Sequence, residues 1–194
     1  MKRLFCLLLC LLCLCSAAFA EFTTEATVYD FDDFTIEVPA GTYVQQSEKV
    51  AGTPFFIAFP NYYNITAATF GDNCNINWSQ DDFSALFALI SADELAQQLF
   101  DAVVSGYALM GTPVTDAQVR AAAYDESGES FTYYSTVTLD VSSLGLGEDA
   151  EMTLHQVQML IDMGEESCYI FTFSSTSSDG MEALIASVNV QPAA

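Results

Sequence analysis

The amino-acid sequence predicts an α+β domain in which amphipathic helices pack on an antiparallel β-sheet. Alternating apolar and polar residues over 131–141 indicate a long strand. Apolar residues at helical spacing over 91–110 indicate one long helix. Short connections join the strands that follow this helix, and such connections are typical of antiparallel hairpins. An antiparallel sheet with helices packed on it satisfies this order of elements.

The first twenty residues have the pattern of a secretory signal peptide. Lys2 and Arg3 precede an apolar run over 4–14, and the sequence AFA at 18–20 is a small-residue cleavage site. We therefore expect residues 1–20 to be removed. The mature protein is expected to be secreted or held in another extracytoplasmic place, such as a cell surface or a periplasm-like space.

The apolar run is short for a membrane span, and no later stretch reaches the about 18 apolar residues that a membrane-spanning helix needs. We expect no stable membrane insertion after cleavage. A lipid anchor at Cys15 is the alternative. Bacterial lipoprotein signals normally carry a small residue before the modified cysteine, however, and Leu14 occupies that position.

The mature chain is expected to be strongly acidic. Without Lys2 and Arg3 it keeps two basic residues against 26 acidic ones, a formal net charge of −24. Such a surface repels phosphate backbones, so we exclude nucleic acid as a partner. High solubility is the simplest interpretation, and attraction to cationic partners or Ca²⁺ is the alternative. The acidic run at 30–33 lacks the ligand spacing of an EF-hand loop.

Two cysteines, Cys74 and Cys168, remain after cleavage. An oxidising compartment favours a disulfide between them. Closing so long a loop would stabilise the fold by roughly 3–5 kcal/mol on the chain-entropy model. The alternative is two separate buried thiols.

The mature chain is expected to form one domain over 34–194, preceded by an acidic segment over 21–33. This segment is polar with scattered aromatic residues and is expected to be a loose leader or an edge segment. Short strands bounded by turn-forming residues are predicted before the first helix, at 34–38, 43–44, 55–59, 65–70 and 75–78.

The long helix begins at Ser91, where Ser91 and Glu94 form a capping box, and ends before Gly111 and Pro113. Its predicted buried stripe consists of Leu95, Leu99, Ala102, Val103, Gly106 and Met110. The other predicted elements are a short helix over 81–89, strands at 115–124, 131–141, 152–161 and 168–173, and a short final helix over 181–188.

The sequence FTIEVP at 34–39 resembles the opening of PsbP-like domains, in which a strand runs into a proline-glycine turn near an aromatic residue. The long helix after several short strands, the strand CYIFTF at 168–173 and the sequence SVNV at 187–190 resemble the same family. The resemblance covers about residues 34–190 and concerns element order and apolar spacing. It implies an α/β/α sandwich around an antiparallel sheet, and a protein that acts by binding or assembly.

The sequence contains no recognisable catalytic constellation. His155, the single histidine, lies on a predicted strand face, where a histidine is more often packed than catalytic, and no Gly-x-Ser-x-Gly motif is present. One histidine and two cysteines that are expected to pair cannot form a tetrahedral zinc site without several carboxylates. We expect no catalytic residue, no metal and no cofactor. Asp81 and Asp82, close to Trp78, leave a glycan-directed carboxylate pair as the alternative, although 26 acidic residues make chance pairs common.

Tyr62, Tyr63 and Trp78 are the candidate binding residues, because exposed rings stack on sugar faces or on partner proteins. The alternative is that Trp78 caps the core and that the tyrosines flank a strand. We therefore expect a secreted, non-enzymatic binding or assembly module with a protein or a glycan as its partner. An extracellular hydrolase acting on glycans through a carboxylate pair is the alternative function.

Overall fold

The computed structural model describes residues 19–60, 71–80, 83–142, 150–164, 167–187 and 189–192. Within these ranges the chain forms two antiparallel sheets and three helices. The strands are β1 (Phe19–Phe22), β2 (Thr27–Asp30), β3 (Phe34–Val38), β4 (Tyr43–Gln46), β5 (Pro54–Phe59), β6 (Asn73–Ser79), β7 (Val114–Tyr124), β8 (Ser130–Asp140), β9 (Glu151–Gly164), β10 (Ser167–Ser175) and β11 (Asn189–Pro192). The helices are α1 (Ser84–Phe87), α2 (Ala92–Leu109) and α3 (Ser178–Ser187).

The large sheet contains eight strands in the spatial order β1-β4-β5-β6-β10-β9-β8-β7. Three strands in the order β11-β3-β2 form a small second sheet. The strands β7 to β10 follow one another as a meander, as the short connections predict. The meander joins the earlier strands where β10 pairs with β6.

The alternation that predicts β8 is confirmed by burial. Phe131, Tyr133, Val137 and Leu139 lie on one face of this strand and are 0–3% exposed. Thr132 and Tyr134 lie on the other face, and Tyr134 is 42% exposed. The strand therefore separates a buried face from a more polar one, as a period of two residues requires.

The first core lies between one face of the large sheet and the small sheet with α3. Strand β10 contributes Tyr169, Phe171 and Phe173, which face Trp78, Ile76 and Cys74 of β6 in register. Helix α3 adds Met181 and Leu184. Its N-cap is Ser177, whose side chain accepts a hydrogen bond from the Gly180 N–H, so the helix begins before the predicted start at 181.

The second core lies on the opposite face of the large sheet, beneath α1 and α2. Phe131 and Tyr133 of β8 pack there with Phe87 of α1 and with Leu95 and Phe100 of α2. The two faces of one sheet are thus covered by different partners, a small sheet on one side and helices on the other. The structure described is mainly antiparallel β-sheet, so α+β describes it only approximately.

Helix α2 begins as predicted, because the Ser91 side chain accepts a hydrogen bond from the Glu94 N–H at 3.3 Å. Its buried face differs from the predicted stripe. Leu95, Ala96 and Phe100 are buried, whereas Ala102 and Met110 are exposed. The face turned to the sheet is therefore centred on Phe100.

Residues 21–33 follow the edge-segment alternative. β1 pairs with β4 at one edge of the large sheet, and β2 pairs with β3 at one edge of the small sheet. Tyr29 of β2 is 8% exposed, and its hydroxyl donates to the Glu21 carboxylate at 2.6 Å. The segment is therefore part of the folded domain.

The predicted disulfide between Cys74 and Cys168 is contradicted by the structure. In the β6–β10 ladder Cys74 faces Phe173, five residues along β10 from Cys168, which is about 17 Å at the usual rise of a strand. The two side chains also lie on opposite faces of the sheet, one in each core. A disulfide needs Cα atoms within about 7 Å, so the alternative of two separate buried cysteines is the one observed.

Candidate functional site

Trp78, a predicted binding residue, lies in β6 on the face of the first core and is half-buried. Its indole N–H donates to the Ser167 hydroxyl at 2.9 Å. The Lys49 ammonium nitrogen lies 4.9 Å from the ring centroid. One face of the ring is therefore already occupied by a cation, which leaves less of it for stacking on a ligand.

Lys49 also connects Trp78 to a polar cluster at the rim of the first core. Its ammonium group donates to the Tyr169 hydroxyl, which in turn donates to the Asp33 carboxylate at 2.5 Å. Burial, and then the hydrogen bond and charge of Asp33, raise the pKa of Tyr169 well above its usual range. The phenol therefore stays protonated. The cluster links the β2–β3 connection, through Asp33, and the β4–β5 connection, through Lys49, to β10.

The other predicted site residues are outside the described part of the chain. Tyr62 and Tyr63 fall in 61–70, between β5 and β6, together with the strand predicted at 65–70. Asp81 and Asp82 lie directly before α1 in sequence and are also outside it. Their roles stay predictions.

A second candidate site lies on the opposite face of the large sheet, where hydrogen-bonding side chains replace apolar ones. One rung of the sheet runs from Gln45 of β4 through Ile57, Asn75 and Thr172 to Gln158 of β9. With strands about 4.8 Å apart, these four steps span about 19 Å. The next rung consists of Asn73, Ser174, Gln156 and Ser135. We call these eight uncharged polar residues, without Ile57, the polar rungs.

Several groups of the polar rungs lack hydrogen-bond partners. Within the described ranges, no hydrogen bond holds the side chains of Thr172 and Gln158, and Asn75 only accepts one from Asn77. In the same ranges the side-chain oxygens of Gln45 and Gln156 have no partner, and both residues are only 4% exposed. Buried polar atoms are normally hydrogen-bonded, so this face has unused capacity.

Gln156 connects the polar rungs to helix α2. Its amide nitrogen donates to the Ser174 hydroxyl at 3.1 Å and to the Tyr107 hydroxyl of α2 at 3.3 Å. Burial raises the pKa of Tyr107, so this phenol also stays neutral. The rungs thus present amide and hydroxyl groups without any charged side chain.

Sequence reasoning missed the polar rungs because their members come from separate strands. The one local signal is the sequence NCNINWS of β6, in which Asn73, Asn75 and Asn77 alternate with apolar residues. Such alternation indicates a solvated strand face as readily as a binding face. Only the register of β6, β10 and β9 brings Asn75 into line with Thr172 and Gln158.

Several ionisable groups outside the polar rungs have shifted pKa values. Burial raises the pKa of the Cys74 thiol and of the Tyr133 phenol, which keeps both protonated. Hydrogen bonds from Ser127 and Ser142 lower the pKa of Asp125 and of Asp140, which keeps both ionised. These shifts hold each group in its ordinary state near neutral pH.

Two further findings concern metals and membranes. Across the ranges that the structure describes, no three residues among histidine, cysteine, aspartate and glutamate are grouped so that they could hold a metal ion. In the same ranges, none of the helices combines the length and apolar character needed to cross a bilayer.

Comparison with known proteins supports a fold and no more. No protein-family model and no curated protein matches the chain. The solution structure of cyanobacterial PsbP (CyanoP) from Synechocystis sp. PCC 6803 does match, with a TM-score of 0.51 and 14% identity. The alignment covers 86% of this chain and 93% of that one. The fold is PsbP-like. At this identity the likeness confirms the PsbP-like architecture expected from the sequence, and it carries no function.

Proposed function

We propose that this protein is an exported, non-catalytic binding module whose polar rungs bind an uncharged, hydroxyl-rich ligand such as a glycan. The observation that supports this is the unpartnered set of amide and hydroxyl groups around Asn75, Thr172 and Gln158. A neutral hydroxylated molecule both donates and accepts hydrogen bonds, as these side chains require.

The energetics of the unpartnered groups support a ligand on this face. A buried amide oxygen without a partner costs about 1–3 kcal/mol. Gln45, at one end of the first rung, and Gln156, inside the second rung, each contain such an oxygen. Both oxygens are covered by protein, so a ligand would recover part of this cost only if these side chains turned outward to meet it. The half-buried amides of Asn75 and Gln158 are open to a ligand directly.

The chemistry of the rungs selects the class of ligand. No lysine or arginine belongs to them, so an anionic ligand would find no counter-charge there, and the acidic chain would repel it. A cationic ligand would be attracted by the whole chain and would need no particular row of amides. An uncharged ligand fits both properties.

The proposal also includes the location and two further residues. The sequence pattern over 1–20 supports export, and the extracellular space is rich in glycans. Tyr62 and Tyr63 belong to the connection that enters β6 just before Asn73. We propose that their rings stack on a ligand held by the rungs.

Nuclear magnetic resonance titration tests this function. The labelled exported protein is titrated with neutral oligosaccharides, namely cellotetraose, maltotetraose and tetra-N-acetylchitotetraose. We expect at least one to shift the signals of Asn75, Thr172 and Gln158 and of their strand neighbours. The double variant Asn75→Ala, Gln158→Ala is expected to lose affinity about tenfold or more, because each lost hydrogen bond contributes about 1 kcal/mol.

Gln118→Ala provides the matched control, since it also removes an amide, but from exposed β7. It is expected to leave binding unchanged. A set of shifts confined to residues outside the polar rungs would contradict the proposed surface. Absence of any shift with all three sugars would contradict glycan binding.

A further inference from the structure

The outer edge of β7 ends the large sheet. This strand spans eleven residues, Val114–Tyr124, and most of them are exposed. In the part of the chain that the structure describes, β8 is its single strand partner. An unpaired edge presents a row of backbone N–H and C=O groups that can pair with another strand.

Two opposite charges lie on this edge strand, at Asp116 and Arg120. Gln118 faces Thr136 across the ladder, and the Arg120 side chain donates to the Thr136 hydroxyl at 3.2 Å. Arg120 therefore lies on the same face as Gln118. Asp116, two residues before Gln118 in a regular stretch of the ladder, lies there too.

Neither charge has an ionic partner within the described ranges. The ion pair found there joins Lys49 to Asp33, and no carboxylate lies within 4.0 Å of Arg120. The chain contains 26 acidic residues and four basic ones. An arginine that lacks a carboxylate partner in so acidic a protein is available for an acidic group from outside.

We propose that a second copy of this chain pairs with β7, antiparallel, about a two-fold axis at Gln118. In this register Asp116 of each copy faces Arg120 of the other, because both residues are two positions from the axis. The sequence of the edge is therefore complementary to itself, as a symmetric dimer requires. Opposite charges that face each other across an antiparallel pair are stabilising.

The bulges of β7 limit the length of the new pairing. Register shifts occur between Val114 and Asp116 and between Val119 and Ala121. Bulges are a common protection of sheet edges, and Arg120 is the extra residue of the second bulge. The backbone pairing about the axis is therefore regular over 117–119, and the Arg120 side chain reaches Asp116 of the other copy from the face on which it contacts Thr136. The interface is consequently small, and we expect a dimer that dissociates on dilution.

Sedimentation velocity of the exported protein in 0.15 M NaCl tests the proposal. Such salt reduces the repulsion between two acidic copies beyond about 8 Å. The wild-type sedimentation coefficient is expected to rise with concentration from the monomer value towards that of a dimer. Arg120→Asp is expected to abolish this rise. At both symmetry-related contacts the carboxylate of Asp116 would then face a second carboxylate at position 120 of the other copy.

Charge exchange gives the decisive comparison. Asp116→Arg alone should also remain monomeric, whereas an equimolar mixture of Asp116→Arg with Arg120→Asp should form a heterodimer. The double variant Asp116→Arg, Arg120→Asp should dimerise by itself. Glu182→Arg on the exposed surface of α3 makes the same charge change away from the edge and should behave as wild type.

A wild-type protein that stays monomeric at hundreds of micromolar would overturn the proposal. So would a dimer that both single variants leave intact. Circular dichroism melts of each variant establish that it is folded, and the mixture experiment distinguishes a lost interface from a damaged strand, because a damaged strand would not be rescued.

Discussion

Two buried tyrosines show how the same phenol can stabilise or destabilise this fold. The Tyr169 hydroxyl lies between the Lys49 ammonium group and the Asp33 carboxylate and bonds both. The Tyr133 hydroxyl is buried in the second core without a hydrogen-bond partner. Hydrogen bonds to charged groups stabilise a fold, whereas an unsatisfied buried hydroxyl costs free energy.

Removing each hydroxyl should therefore change the free energy of unfolding in opposite directions. Tyr133→Phe is expected to raise it by about 1 kcal/mol, since the desolvated hydroxyl is removed from the core. Tyr169→Phe is expected to lower it by about 1 kcal/mol, a value reduced because Lys49 and Asp33 are partly exposed. Urea unfolding measures both, with exposed Tyr134→Phe as the unchanged control. Changes of the same sign would contradict this account.

The two cysteines supply a second test at this scale. Because Cys74 and Cys168 lie on opposite faces of the large sheet, we expect no peptide that joins them in a non-reducing digest. Mass spectrometry of the exported protein detects such a peptide if it exists. Its presence would show that the β6–β10 register is different, since the bridge cannot form across the described ladder.

Among the elements, α2 shows what apolar spacing can and cannot predict. The cap at Ser91 and the extent of the helix follow from local sequence, and both are confirmed. Its buried face does not, because several apolar residues lie all round this helix. Burial selects Phe100 over Ala102 and Met110, and this choice depends on where β7 and β8 lie.

Phe100 should be the main anchor of α2. Phe100→Ala is expected to destabilise the fold by about 3–5 kcal/mol, the usual cost of removing a buried aromatic ring from a core. Leu109→Ala, in the same helix but 88% exposed at wild type, should change the free energy of unfolding by less than about 0.5 kcal/mol. Thermal or urea unfolding compares the two variants. Equal effects would mean that the helix is docked by another face.

The positions of several strands can be predicted from local sequence, whereas the surface that the strands form together cannot. Alternation locates β3 and β8, because each has one more deeply buried face and a period of two is visible within a single strand. The polar rungs depend on how β4, β6 and β10 are aligned, and no local pattern contains that register. The prolines that flank β5, Pro54 and Pro60, favour an edge position, yet β5 lies between β4 and β6.

For the whole molecule, charge is the dominant property. The full chain has a formal net charge of −22 at pH 7, and the ion pair found in the described part of the chain joins Lys49 to Asp33. Self-repulsion between like charges destabilises a compact state, and salt screens it. The fold should therefore tolerate heat better when salt is present.

We expect the melting temperature to rise between 10 mM and 300 mM NaCl at pH 7. The comparison is made by differential scanning calorimetry, and the variant Lys49→Ala serves as a check on the ion pair. That variant should show a similar rise, because the pair between Lys49 and Asp33 is partly exposed and weak. A melting temperature that falls with salt would mean that attractive ion pairs outweigh the repulsion.

The position of β1 has a consequence if residues 1–20 are removed, as the sequence predicts. The peptide bond expected to be cut, between Ala20 and Glu21, lies inside β1, where Ala20 faces Gln45 of β4. A protease binds its substrate as an extended chain whose backbone groups are free to form hydrogen bonds. A strand already hydrogen-bonded to β4 would therefore resist cleavage. Processing should therefore come before this rim of the protein closes. After cleavage Gln45 and Gln46 would lose their strand partners, Ala20 and Phe19. This part of the sheet edge would therefore be exposed in the cleaved chain but not in the uncleaved one.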